Sequence, residues 1–156
     1  MAQISINNLT FGYEGSFDYV FENVSFSIDT NWKLGFIGRN GKGKTTFLNL
    51  LLGKYQFTGS ISASTKFDYF PYEIAEYQKQ MPVAEFIEDL KPGCEIWRVI
   101  CELEELSESS EILYRPYCTL SPGERTKILL AVLFSQENEF LLIDEPMNHF
   151  DKNARE

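Results

Sequence analysis

The sequence predicts a mixed α/β fold with an antiparallel β portion ahead of it and a small helical insertion within it. Three observations carry that prediction. A glycine-rich run, Gly38-Arg39-Asn40-Gly41-Lys42-Gly43-Lys44-Thr45, lies between a short apolar segment and an apolar helical run. Apolar residues alternate with polar ones before it and recur at a helical period well after it. Finally, Phe140-Leu141-Leu142-Ile143 sets four apolar residues before Asp144 and Glu145, the pattern of a buried parallel strand with carboxylates at its C-terminal end.

Taken in order, residues 3–9 read as a strand through Ile4, Ile6 and Leu9, and lead through Thr10-Phe11-Gly12-Tyr13 to a polar turn at 14–18. Val24, Phe26 and Ile28 alternate with Ser25 and Ser27, a half-buried strand of an antiparallel pair. Lys33-Leu34-Gly35-Phe36-Ile37 reads as a short buried strand entering the glycine-rich run, and Thr46 to Leu52 as a helix closed by Gly53. Residues 57–63 and 66–70 read as two further strands, the second stopped by Pro71. From Pro82 the period becomes helical: Val83, Phe86, Ile87 and Leu90, a break at Lys91-Pro92-Gly93, then Ile96, Val99, Ile100, Leu103 and Leu106 on one face. Ser121, Pro122 and Glu124 open another helix as N-cap, first helical residue and third residue of a capping box. The helical insertion is expected over about 82–135.

Composition narrows the class. At 156 residues, 44% hydrophobic and 15% aromatic, the chain holds enough apolar surface for one domain with a core. Net charge is −9, and residues 85–111 hold nine acids against Lys91 and Arg98. Such a surface repels phosphate backbones, which argues against direct nucleic-acid contact, and a solvated helix face accounts for most of these charges. Cys94, Cys101, Cys118 and His149 show no zinc spacing, and reduced cytosolic thiols fit three cysteines better than a disulfide framework. No apolar run approaches the length of a spanning helix or forms a signal peptide, so a soluble, cytoplasmic chain without direct membrane insertion is expected.

The glycine-rich run fits G-x-x-x-x-G-K-[ST] without a gap. A loop of this kind turns a strand into a helix while aiming backbone N–H groups at phosphate oxygens, and Gly38, Gly41 and Gly43 leave room for that approach. Lys44 supplies a point charge to the β- and γ-phosphates, Thr45 a hydroxyl for Mg²⁺, and the helix its positive dipole end. At the other end of the chain, Asp144 and Glu145 fit either a strand-ending acidic turn or a carboxylate pair for chemistry, at the strand end where α/β folds place ligands. Tyr13, near a strand end, fits either an edge aromatic or a stacking surface.

Together these pieces resemble the nucleotide-binding domain of ATP-binding cassette (ABC) proteins. The resemblance implies a P-loop NTPase ABC cassette with an antiparallel β subdomain, a mixed α/β core and a small helical subdomain. It implies that Tyr13 stacks on adenine and that Gly38, Arg39, Asn40, Gly41, Lys42, Gly43, Lys44, Thr45 and Thr46 cradle the ATP phosphates. Leu120 to Glu124 looks like the signature sequence, through which Ser121 and Gly123 would complete the site of an opposite cassette. Asp144 with Thr45 would hold Mg²⁺, and Glu145 would be the base that activates the attacking water. Glu145-Pro146-Met147-Asn148-His149-Phe150-Asp151 looks like the E-P-T-N-H-L-D sequence of the ABC-F subfamily, and Thr30 to Gly35 and Arg115-Pro116 are similar to its antibiotic-resistance members. The implied protein is a cytosolic twin-cassette ATPase that binds the ribosome and displaces drugs of the lincosamide, streptogramin A and pleuromutilin classes. The alternatives are the soluble ATPase subunit of a membrane transporter and a regulatory nucleotide-binding module without turnover.

The sequence also departs from the family pattern. Pro122 stands where the signature usually has a glycine, Met147 at the usual threonine, and Tyr72 where many cassettes place a metal- and water-contacting glutamine, with Gln78 and Gln80 poorly spaced to replace it. The run ends at Glu156, before the family's switch histidine and final strands. The expectation is a C-terminally truncated first cassette that binds ATP better than it hydrolyses it, with His149 as an interface residue.

Overall fold

The computed structural model describes residues 3–39, 41, 43–137 and 139–145. These divide into two compact units, one running to Asp68 with the strand segment ending at Leu142, the other formed by Tyr69–Glu137 and the residues from Ile143.

In the first unit, β1 (Gln3–Phe11) is the middle of a three-stranded antiparallel sheet, flanked by β2 (Phe21–Asp29) and β3 (Thr58–Ala63). Ile4 lies opposite Ile28, and Ile6 opposite Phe26 on one side and Ile61 on the other. Strict alternation would turn Leu9 and Phe11 away from the face that buries Ile4 and Ile6. A register shift between Ile6 and Leu9, with Asn8 at φ 49°, moves the phase by one residue, and all four side chains are buried. Gly59 accommodates this bulge: a Cβ there would lie 2.4 Å from the Asn8 carbonyl oxygen.

Helix α1 (Lys44–Leu51) buries Phe47, Leu50 and Leu51, and the Phe47 ring meets those of Phe21, Phe26 and Phe36 at 6.0, 5.7 and 5.4 Å. The segment Lys33–Ile37 is not the buried strand that its composition predicts. It has no strand structure, and Leu34, Phe36 and Ile37 are 56%, 53% and 94% exposed. Apolar content makes a strand only where a neighbour takes its backbone hydrogen bonds. Among the described residues, β4 (Lys66–Phe70) and β5 (Glu139–Ile143) pair with each other as a two-stranded sheet, and neither sheet includes 33–37. Of the four apolar residues of β5, only Leu142 is fully buried.

The second unit is built on α2 (Val83–Leu90), α3 (Ile96–Glu105) and α4 (Pro122–Ser135). Val83, Phe86 and Ile87 of α2, Val99 and Leu103 of α3, and Ile128, Ala131 and Val132 of α4 form its core. The Phe86 ring stacks on Tyr117 at 4.5 Å. Hydrogen bonds from the Val83 N–H to the Arg115 carbonyl (3.0 Å) and from the Tyr117 N–H to the Met81 carbonyl (2.9 Å) fasten the start of α2 to the 3-10 turns before α4. Those turns, at Ser110–Tyr114 and Tyr117–Thr119, have no helical periodicity to announce them. Helix α4 is buried round most of its circumference, as its apolar run Ile128 to Phe134 implies.

Candidate functional site

The glycine-rich run enters α1 through Gly43, the helix N-cap, at φ 92°, with Gly41 also left-handed at φ 78°. These are the backbone conformations that glycine adopts without steric cost. Gly43 has a packing reason as well, since a Cβ there would meet Val20 Cγ1 at 2.7 Å. The Lys44 ammonium donates to the Gly38 carbonyl, folding the side chain back across the loop. Gly38 and Arg39 are exposed, and Thr45 is exposed at the second position of α1. Asn40 and Lys42, expected to take part in the cradle, lie outside the described residues.

Thr46 is buried, and its hydroxyl is 2.6 Å from the Tyr13 hydroxyl. That bond brings the aromatic residue at the end of β1 to the first turn of α1, a pairing that no motif announces. The Tyr13 ring is 45% exposed and sits edge-on to Phe11 at 5.0 Å and to Tyr55 at 5.8 Å. It is therefore both supported and presented.

In the second unit, Asp144 follows β5, and its N–H donates to the Phe70 carbonyl at the end of β4 (3.0 Å). The Tyr69 hydroxyl donates to Asp144 Oδ2 at 2.9 Å. Burial, then the hydrogen bond and the negative charge of Asp144, push the Tyr69 phenol up to about 12, so it stays protonated as a donor at neutral pH. Glu145 is exposed and left-handed at φ 44°. A carboxylate is a hard oxygen donor, so the chemistry of Asp144 suits Mg²⁺ and not a thiolate-preferring metal. Sequence reasoning missed Tyr69, because a tyrosine near a strand end carries no spacing that sets it apart.

The tyrosine at the glutamine position turns to packing. Tyr72 is half-buried against the helical core, with the Lys91 ammonium 5.5 Å from its ring centroid. Gln78 is buried: its Oε1 accepts from the Ala75 N–H (2.9 Å) and its Nε2 donates to Asp89 (2.7 Å), a carboxylate that also accepts from the Tyr77 hydroxyl. Gln80 accepts a weak bond from the Cys118 thiol. Each of these side chains is committed within its own unit.

At the start of α4, Ser121 Oγ accepts from the Glu124 N–H (3.2 Å) while Glu124 Oε2 accepts from the Ser121 N–H (2.8 Å), a complete capping box. Pro122 occupies a first-turn position whose N–H needs no partner, so a proline fits where the family pattern has glycine. Gly123 is buried. The Ser121 backbone bond and the Arg115 guanidinium hold the Glu124 carboxyl below the usual carboxylate range. Residues Pro146, Met147, Asn148, His149, Phe150 and Asp151 lie outside the described residues.

Residues 21–148 match the family model described as ABC transporter. The chain is 32% identical over 141 residues to the ribosome protection protein VmlR of Bacillus subtilis, covering 88% of this chain and 25% of that protein. It is 34% identical to the ATP-binding protein Uup-like of Haemophilus influenzae, covering 92% and 33%, and 28% identical to ABC transporter F family member 3 of Arabidopsis thaliana, covering 98% and 22%. Among solved structures, a putative ABC transporter ATP-binding protein from Pyrococcus furiosus is similar at a TM-score of 0.79 and 21% identity, covering 98% of this chain and 80% of that one. A putative metal-chelate type transporter is similar at 0.74 and 24%, covering 99% and 64%. The fold is that of an ABC ATPase cassette. The chain spans about a quarter of the length of the curated relatives it matches.

Proposed function

We propose that this chain, which belongs to the ABC transporter family, binds MgATP through the loop from Gly38 to Thr46 and takes part in its hydrolysis as a cassette of an ABC-F ribosome-protection ATPase. Cassettes of the family are P-loop ATPases that use ATP and Mg²⁺. The observation that carries the nucleotide reading is the loop itself: two left-handed glycines lead into α1, and the Lys44 ammonium lies across to the Gly38 carbonyl. Lys44 then serves the phosphates as a point charge, and the N–H groups at the start of α1 serve as neutral donors. Tyr13 offers its ring to adenine while its hydroxyl stays on Thr46.

Thr45 and Asp144 would hold Mg²⁺, which when bound would supply positive charge to the phosphates for phosphoryl transfer. Glu145 accepts the proton of the attacking water, and Ser121 and Gly123 face the nucleotide of a second cassette. The remaining parts are a helical subdomain over about 82–135 and a cytoplasmic setting. Support for ribosome protection comes from the similarity to VmlR and from the run Asn148-His149-Phe150-Asp151.

Two experiments test the reading at its two levels. Calorimetry of MgATP binding, with Lys44→Ala as the control, tests the loop: binding that survives the substitution unchanged overturns the nucleotide site. Co-sedimentation of the Glu145→Gln protein with ribosomes tests the subfamily. Copurification with membranes in place of ribosomes would establish the transporter-subunit alternative.

A further inference from the structure

From the bond between the Tyr69 hydroxyl and Asp144 Oδ2, we infer that Tyr69 is a positioning residue that fixes the Asp144 carboxylate for the metal, a role that no motif assigns to it. The inference rests on the reading of Asp144 as the Mg²⁺ ligand. Two bonds from the end of β4 hold Asp144: the 2.9 Å phenol bond to its side chain and the 3.0 Å bond from its own N–H to the Phe70 carbonyl. The backbone bond fixes where the Cα sits. The phenol bond fixes the rotation of the carboxylate about its side-chain torsions, which the backbone alone leaves open.

A metal that demands near-ideal octahedral geometry gains from a ligand whose rotation is already set. One phenol suits this task because a carboxylate has two oxygens and several lone pairs, so it can accept a hydrogen bond and still ligate a cation. The residues at and near the family's glutamine position are engaged in their own contacts: Tyr72 packs against the helical core, and Gln78 is bound to Asp89 and the Ala75 N–H. Tyr69 is half-buried on β4, a paired strand, so its ring has a defined direction from which to donate.

The test is calorimetric and needs no turnover. ATP affinity of the full chain is measured in Mg²⁺ and in EDTA, and the ratio of the two is the metal-dependent gain. Tyr69→Phe removes only the hydroxyl. The inference expects its EDTA affinity to match wild type and its metal-dependent gain to fall about tenfold. In an Asp144→Asn background, the same substitution is expected to have no further effect. A Tyr69→Phe protein with the wild-type gain, beside an Asp144→Asn protein that has lost it, overturns the role of Tyr69 and leaves Asp144 as the ligand. An Asp144→Asn protein that keeps the gain overturns the assignment of Asp144, and the inference with it. Equal loss in Mg²⁺ and EDTA would make Tyr69 merely structural and also overturns the inference. Should Tyr69→Phe fail to fold, Tyr69→Leu, which likewise cannot donate, carries the same comparison.

Discussion

Lys44 and Tyr13 show how much single side chains decide. Lys44 brings a full charge across the loop to the Gly38 carbonyl, so Lys44→Ala should remove a charge-assisted contact of about 1.5 to 3 kcal/mol, or roughly ten- to a hundredfold in ATP affinity. Calorimetry checks it directly. Tyr13 has two separable parts. Its hydroxyl bonds Thr46, so Tyr13→Phe should cost about 1 kcal/mol of stability, read from denaturant unfolding, with ATP affinity kept. Its ring is the proposed adenine platform, so Tyr13→Ala should weaken ATP binding by about tenfold. The left-handed turn into α1 was legible from sequence because Gly41 and Gly43 take that backbone conformation without steric cost. The partners of Tyr13 and Asp144 were not legible, because Thr46 and Tyr69 meet them only through the tertiary structure, 33 and 75 residues away in the chain.

Among the elements, α4 was the most readable and Lys33–Ile37 the least, for opposite reasons. A capping box is local: Ser121, Pro122 and Glu124 specify the helix start from within four residues. Ser121→Ala should therefore destabilise the protein by about 1 kcal/mol, measured by chemical unfolding. The cap also has a pH signature. The folded Glu124 carboxyl lies below its ordinary range, so its contribution is present above the unfolded value and is lost as pH falls through that range. Glu124→Gln should accordingly lessen the fall in stability between neutral pH and about pH 3. Strand formation at 33–37 depends on distant partners, and the same apolar residues that suggest a strand lie exposed outside both sheets of the described residues. The bulge at Asn8 has a related cause: the spacing of Ile4, Ile6 and Leu9 hints at it, but only the pairing with β2 and β3 shows where the phase shifts.

For the whole molecule, two compact units mean two sources of stability. Phe86→Ala, at the centre of the helical core, should cost about 3 to 5 kcal/mol and lower hydrogen-exchange protection most in α2, α3 and α4. Protection lost equally in β1, β2 and β3 would show that the units do not open separately. The exposed run Leu34, Phe36 and Ile37 bears on solution behaviour, since contiguous apolar surface favours association. Sedimentation should show concentration-dependent self-association that Ile37→Lys reduces, and a wild-type chain monomeric at every concentration would remove that expectation. The general class of fold was readable because period 2, a glycine loop and period 3.6 follow one another along the chain. The composition of each unit was not, because β4 and β5 come together from positions about 70 residues apart.

The backbone at Glu145 carries a trade-off that selection on the chain would have met. A non-glycine residue at φ 44° sits where its Cβ is crowded, at a cost of about 1 to 2 kcal/mol that glycine escapes and asparagine bears more easily. The chain keeps glutamate there, at the carboxylate assigned to the attacking water. A stability screen would thus favour Glu145→Gly over the native residue while that same change silenced the proposed chemistry. Thermal tolerance and turnover would then move in opposite directions at a single position.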